Sequence, residues 1–358
     1  MNLNLIYDYQ IFLKQKYGGP SRYFVELNRC INSQIFNNEI FAPFHINRHL
    51  KDTSYNKGNF FFYKKFNLNN VFKKYNQYRT IRKIQNIKNL IVHATYYDLE
   101  YLRKIKCKKV VTVYDLIHEK FYSREKLDKE NLKVNLINDV DHFICISKNT
   151  QKDLIEYYNV DEKRTSVTYL SSSLKESNYN VKKKKDYFLF VGNRDGYKNF
   201  SFLVDGLSKF KKFRDNFDLY LFGGSNFSNY EISKFKEKGI YKNIRFCGND
   251  ESILSSLYKN ASCFIYPSLY EGFGIPILEA MQNNCPVLCC DNPTFREIGQ
   301  NSIEYFEPGN IESFIHSLEK IVYSNVFSSN LKNLGKKRRQ FFSWQKCAKE
   351  TQKIYLSL

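Results

Sequence analysis

A chain of 358 residues is too long for one ordinary domain and comfortable for two. With 42% apolar and 17% aromatic residues it is not a disordered chain, and 26% charged residues are enough for a water-facing surface. A net charge of +20 leaves two readings open: a field that draws nucleic acid, an anionic membrane face or a nucleoside diphosphate, or solvated lysine in a composition rich in Lys, Asn, Ile, Phe and Tyr.

No recognised nucleic-acid module stands in the sequence, so a nucleic-acid partner is not expected. No apolar run has the length of a membrane span. The chain starts directly with Leu3-Asn4-Leu5-Ile6-Tyr7 rather than with a basic segment and a signal core, and the expectation is a protein kept in the cytoplasm. The nine cysteines fit a reducing compartment: most lie in apolar strand patterns and none forms a Cys-x-x-Cys pair, so buried thiols are expected rather than a zinc site.

In chain order, residues 3–8 predict a first strand and Ser21 to Ile31 a first helix, with Ser21 as its cap. Gly18-Gly19-Pro20 makes the turn between them. Residues 45–90 give poor periodicity; Phe60 to Tyr63 predicts a short strand and Val71 to Ile87 a basic helix. From Leu90 the pattern is regular, with apolar runs at Leu90–His93, Val110–Tyr114 and His142–Ile146 separated by helical stretches. Such runs imply a parallel sheet covered on both faces. Ligands of these sheets collect at the carboxyl ends of the strands, which places Tyr114, Asp115, His118 and the Ser147–Thr150 segment at a binding edge. Ser147 is expected to cap the helix that follows. Asp139-Val140-Asp141 straddles the start of a strand and is not a metal motif in that position. No other oxygen-ligand cluster suggests a divalent ion.

Thr165 to Leu170 predicts the last strand of a first domain, and Ser171–Ser173 with the lysine run 182–185 predicts a linker. The alternation restarts with Tyr187–Val191, and further strands are expected at Asp218–Phe222, Ile244–Cys247, Cys263–Tyr266, Val287–Cys290 and Ile303–Phe306. After the first of these come Arg194 and Lys198, two cations on one loop that can neutralise charge on a leaving phosphate. Residues 266–280 then form a strand–loop–helix crossing. Gly272 and Gly274 leave backbone N–H groups uncovered at a helix N-terminus that begins with Ile275-Pro276, an arrangement that holds phosphate. Glu271 lies in the loop. Glu279 lies about one turn into the helix, where a carboxylate can accept two hydrogen bonds from a ribose diol.

Glu271, seven intervening residues and Glu279, with Gly272-Phe273-Gly274-Ile275-Pro276 between them and Ala280-Met281 after, resemble the signature of the retaining glycosyltransferases of family 4. The segment Gly192–Asn199 and the residues Pro286–Thr294 and Glu297–Gly299 agree with the same family. The resemblance covers nearly the whole chain, strongest from Val191 to Pro308 and weakest from 35 to 88. It implies an α/β protein of GT-B fold: two Rossmann-like doubly wound domains with a central cleft, and a C-terminal helix crossing back to the first domain. The expected division is 1–175 for the acceptor-side domain, 186–340 for the nucleotide-sugar domain and 341–358 for the returning helix.

The resemblance further implies that Arg194 and Lys198 bind the donor diphosphate, that Glu279 holds the ribose, and that Glu271 with the backbone of Phe273, Gly274 and Ile275 holds the transferring sugar. Gly18 and Gly19 sit on an element that faces the cleft in the family. Members carry His-Asp where this chain has Tyr114-Asp115, and the chain departs there; Asp115 is expected to touch a ligand, while for His118 a ligand role and a structural role stand side by side. The family reading is a hexosyltransferase without a cofactor or metal, similar to bacterial polysaccharide mannosyl- and rhamnosyltransferases, with a GDP-sugar donor favoured over a UDP-sugar. Its acceptor would be a saccharide or lipid-linked saccharide, and its place the cytoplasm, peripheral on the inner face of the cell membrane. The alternative is a non-catalytic GT-B scaffold that holds a partner enzyme or a polyanion.

Overall fold

The apolar runs become parallel strands in the computed structural model, which describes residues 3–61, 69–121, 134–194 and 196–358. Two compact units result: Met1–Leu170 together with Ser343–Leu358, and Ser171–Phe342.

In the first unit the strands are β1 (Leu3–Tyr7), β2 (Phe36–Ile40), β3 (Phe44–His45), β4 (Asn59–Phe60), β5 (Leu90–Ala94), β6 (Lys108–Val113), β7 (His142–Cys145) and β8 (Thr165–Val167). Six of them form one parallel sheet in the order β2-β1-β5-β6-β7-β8, and β3 pairs only with β4. Every residue of β5 is buried, as expected of a central strand with helices on both faces. The helix Trp344–Ser357 packs on the helix Gly19–Cys30. Beneath it the buried His93 ring accepts or donates at both nitrogens, 2.5 Å from the Tyr355 hydroxyl and 2.8 Å from the Thr112 hydroxyl. Tyr355 also meets Phe36 edge-on, and Trp344 leans on Tyr23.

The second unit holds β9 (Asp186–Val191), β10 (Phe217–Phe222), β11 (Ile244–Phe246), β12 (Cys263–Tyr266), β13 (Val287–Cys290) and β14 (Glu304–Phe306), all parallel, in the order β11-β10-β9-β12-β13-β14. The core on one face is aromatic: Phe188 stacks on Phe217, and Phe306 meets Phe314 edge-on.

Several local expectations change. A short helix, Gln10–Lys14, precedes the expected one, which starts at Gly19, not Ser21: Gly18 is the cap residue, Gly19 and Pro20 open the first turn, and the Ser21 hydroxyl donates back to the Gly18 carbonyl at 3.0 Å. A proline early in a helix loses no hydrogen bond, so the start moves ahead of the serine. The basic helix runs Asn69–Ile84 rather than Val71–Ile87. The short strand is Asn59–Phe60, and the remainder of the expected Phe60–Tyr63 segment beyond Phe61 lies outside the described residues. The strand at Thr165 ends at Val167. Residues 171–185 run with the second unit: Gln282 donates to the Leu174 carbonyl, and the Ser256 hydroxyl to that of Ser177. Ser147 caps its helix by accepting from the Thr150 N–H at 3.0 Å.

Candidate active site

In the second sheet β9 is flanked by β10 on one side and β12 on the other, so the strand order reverses between β9 and β12. Loops leaving the carboxyl ends at such a reversal diverge and leave a crevice, the usual ligand position in open α/β sheets. Residues 192–199 follow β9 and residues 267–274 follow β12. These are the two segments that carry Arg194 with Lys198 and Glu271.

The loops are tied to each other by the Leu269 N–H donating to the Tyr197 carbonyl at 2.9 Å. Next to this bond Lys198 Nζ donates to Glu271 Oε1 at 2.6 Å, and the two side chains are 15% and 11% exposed. The Tyr266 hydroxyl lies 3.4 Å from the same ammonium, and its ring stacks on Phe295. Glu271 is therefore held in place by the lysine. Its own carbonyl accepts from the Thr294 hydroxyl, and the Asn292 amide donates to the Ser268 carbonyl, so the loop is pinned from the segment after β13.

Arg194 is almost wholly enclosed, its side chain 5% exposed. Its Nε donates to Glu231 at 2.5 Å and Nη2 to the Ser225 carbonyl at 2.7 Å, whereas Nη1 is buried with no hydrogen-bond partner among the described residues. A buried guanidinium N–H without an acceptor is costly, and an arriving oxyanion would satisfy it. Glu231 was not anticipated as a site residue. It is the fourth residue of Ser228-Asn229-Tyr230-Glu231, a capping box legible in the sequence, and it closes that box while binding Arg194. Partial burial raises the Glu231 pKa, but the bonds from Arg194 and Ser228 outweigh it and hold the carboxyl below its ordinary range.

The helix Ile275–Gln282 begins at Gly274, whose φ of +103° lies in the left-handed region. A Cβ there would also stand 3.2 Å from both Ile277 and Phe295, so the position suits only glycine. Phe273 is buried and meets Phe342 edge-on. Glu279 is 5% exposed and accepts from the Tyr258 hydroxyl at 3.1 Å. Gly223 packs against the backbone of Gly192, where a Cβ would come within 3.2 Å of the Gly192 nitrogen, which keeps the ends of β9 and β10 close.

In the first unit Gly18 and Gly19 form the cap and first residue of a helix. Tyr114 is buried: its hydroxyl lies 3.4 Å from the Thr95 carbonyl and its ring stands edge-on to Tyr23. Asp115 accepts from the Ile117 N–H at 3.1 Å and so starts the short helix Ile117–Phe121, which carries His118. The carboxyl ends of β1 and β5 are joined by Asp8, fully buried, which accepts from the Thr95 N–H and hydroxyl, the Gln10 amide and the Tyr101 hydroxyl. Burial raises its pKa while these bonds act in the opposite direction. Among the described residues no group of three or more His, Cys, Asp or Glu side chains is placed to hold a metal ion, and no helix is long and apolar enough to cross a membrane.

Two parallel-sheet Rossmann-like units, with cations and carboxylates gathered at the strand reversal of the second, define an α/β protein of GT-B type. Residues 17–170 match the model of Glycosyltransferase Family 4 and residues 172–341 that of Glycosyl transferases group 1, and the chain belongs to these glycosyltransferases. The O-antigen chain mannosyltransferase RfbU of Salmonella typhimurium is 29% identical over 257 residues, 68% of this chain and 67% of that protein. The O-antigen chain mannosyltransferase B of Escherichia coli is 28% identical over 173 residues, 47% of this chain and 45% of the relative. Among solved structures, the fold is shared with the sucrose-phosphate synthase of Thermosynechococcus elongatus, at TM-score 0.78 and 16% identity, covering 100% of this chain and 99% of that one. It is shared also with Anabaena HepE in complex with UDP and glucose, at TM-score 0.77 and 14% identity, with both chains covered at 100%.

Proposed function

We propose that the chain transfers a hexose, mannose or a related sugar, from a nucleoside-diphosphate sugar to a growing surface glycan or a lipid-linked saccharide, with retention of anomeric configuration and without a metal ion. The observation that carries the reading is the pair of loops at the strand reversal, which bring Lys198 onto Glu271 at 2.6 Å and leave a buried Arg194 N–H unsatisfied. The mannose and the surface glycan rest on the names of the two O-antigen relatives. They are also the reason a guanosine donor is favoured over a uridine one.

In this reading Arg194 and Lys198 hold the diphosphate, Glu279 the ribose, and Glu271 with the backbone from Phe273 to Ile275 the sugar. The bond from the anomeric carbon to the diphosphate breaks with its electron pair going to the phosphate oxygen. The acceptor hydroxyl forms its new bond on the same face, and its proton passes to that departing oxygen. Charge grows on the diphosphate during this step, and fixed cations stabilise it most then. Asp115 touches the substrate with Tyr114 and His118 beside it, and the loop of Gly18 and Gly19 either approaches the donor diphosphate or admits the acceptor.

A panel of GDP- and UDP-sugars, assayed for hydrolysis and transfer with and without EDTA, tests the proposal. Sugar release from a GDP-hexose that survives the chelator is the expected result. Failure to bind any nucleoside diphosphate would leave the scaffold reading instead. Loss of activity in EDTA that returns with manganese or magnesium would overturn the metal-free mechanism.

Glu279→Gln keeps the shape of the side chain and removes the charge that strengthens the diol bonds. Nucleotide affinity should weaken by about 1.5–3 kcal/mol by calorimetry. An unchanged affinity would remove Glu279 from the ribose site.

For the membrane, the helix Asn69–Ile84 supplies the contact surface. Arg79 and Arg82 are held by the hydroxyls of Tyr75 and Tyr78, one turn earlier, and Val71 and Tyr78 are exposed. Lys73 and Lys83 are engaged with Asp98 and Glu39. Each basic residue near an anionic surface contributes up to about 1 kcal/mol. The protein should sediment with anionic vesicles at low salt and release at high salt, and charge reversal at Lys74, Arg79 and Arg82 should abolish this with nucleotide affinity intact. Sedimentation unaffected by the three changes would make the helix solvated surface.

A further inference from the structure

At the amino ends of β9, β10 and β11, away from the loops of the proposed donor site, the second unit has a concavity of about 680 Å³. Lys184, Lys185, Arg214, Lys236, Lys242 and Arg245 line it, and Asp218 is the one acidic residue among its lining residues. Six cations to one carboxylate in a single hollow compares with 56 basic to 36 acidic residues in the chain as a whole.

The six cations differ in how they are held. Arg214 is fixed by the backbone, donating to the carbonyls of Lys238 and Gly239 at 3.1 and 3.3 Å, where it offsets the negative end of the helix Asn229–Glu237. Lys185 donates to the Arg214 carbonyl at 2.5 Å. Arg245 lies 3.6 Å from Asp218, which is itself buried. Lys184, Lys236 and Lys242 are exposed and make no ion pair with a described carboxylate. The hollow therefore has Arg214 and Lys185 held by backbone carbonyls, Arg245 beside Asp218, and three exposed ammonium groups at its rim, of which that of Lys236 lies 5.5 Å over the Tyr241 ring. Like charges gathered in a concave wall repel one another, and an anion with several oxygens relieves that repulsion while accepting charge-assisted hydrogen bonds.

We propose that this hollow is a second anion site, which binds a phosphate-bearing group: a phosphomonoester or diphosphate, free in solution or presented by a lipid headgroup. A single carboxylate would leave most of the rim uncompensated, whereas a diphosphate spans two or three ammonium groups at once. The site does not depend on the identity of the sugar donor.

The test compares the full chain with Lys236→Glu/Lys242→Glu and with Lys104→Glu/Lys106→Glu, an exposed pair of equal charge change in the first unit. Each is titrated calorimetrically with inorganic pyrophosphate and sedimented with phosphatidylcholine vesicles with and without phosphatidic acid, whose headgroup is a phosphomonoester. The groove variant should lose about ten-fold or more in pyrophosphate affinity at one site, the control pair less than about two-fold. Loss of pyrophosphate binding assigns the site to free phosphates. Loss confined to phosphatidic acid vesicles, with the control pair unaffected, assigns it to headgroups. If the groove and control variants behave alike with both probes, or the unaltered chain binds neither, the proposal is wrong. Melting curves of the two variants show whether both remain folded, and Lys184→Gln, which removes one charge without creating a negative one, should show a smaller loss in the same direction.

Discussion

Lys198→Ala is expected to lower kcat by about 10²- to 10³-fold, with a much smaller rise in KM for the donor. The lysine reaches Glu271 at 2.6 Å from a loop fixed on the opposite side of the strand reversal, and in the proposed reaction its charge faces the leaving phosphate. A cation already in place needs no reorganisation at the moment the bond breaks. The same substitution strips Glu271 of its partner while that side chain is only 11% exposed. Stability should fall by about 1–3 kcal/mol, below the cost at a fully buried pair because some water reaches both groups. Lys198→Ala/Glu271→Gln separates the two effects: stability should recover in the double variant and turnover should not. A rise confined to KM, with kcat intact, would mean that Lys198 only holds the ground state.

A large effect on stability is expected from His93 as the pH falls. Burial pulls its pKa from 6.5 down to about 3, since the ring has no solvent and its two nitrogens face only the hydroxyls of Tyr355 and Thr112. Above pH 6.5 neither the folded nor the unfolded state carries the proton, and this group contributes no pH dependence. Between 6.5 and about 3 the unfolded chain binds a proton that the folded one refuses, so stability drops by about 1.4 kcal/mol for each pH unit. Urea unfolding of the first unit, followed across that window for the unaltered chain and for His93→Gln, should give a flatter slope in the variant by one proton. Equal slopes would show that the folded state accepts the proton after all.

How much of this was legible in the sequence depended on where each residue's partners lie. The central strands announced themselves because strands buried on both faces are nearly continuous apolar runs, as in Leu90–Ala94, interrupted only by His93, and Phe217–Phe222, interrupted only by Asp218. The edge strand Phe36–Ile40, with Asn37 exposed and Asn38 and Glu39 only half-buried, carries no such run and was missed. Motif spacing put Glu271, Arg194 and Lys198 on loops at strand ends, and those loops are where the strand order reverses. Their partners were less accessible. Glu231 stands in a visible Ser-x-x-Glu box, yet its bond to Arg194 spans 37 residues and exists only because β9 and β10 lie side by side. Tyr114 was correctly placed at the end of its strand, but the direction of its ring is set by Tyr23 and Thr95, which no local pattern records.

The split make-up of the first unit has a consequence for synthesis. Residues 171–342 are contiguous, so that unit needs no residue outside its own stretch to complete its sheet and its helices. Residues 1–170 emerge earlier yet must wait for residues 343–358, because until then His93, Tyr23 and Phe36 lack the aromatic cover that Tyr355 and Trp344 provide. The half made first is thus the half finished last. During that interval its exposed rings are what a chaperone would meet, and a stop codon near Phe342 would strand the first unit in that condition while sparing the second.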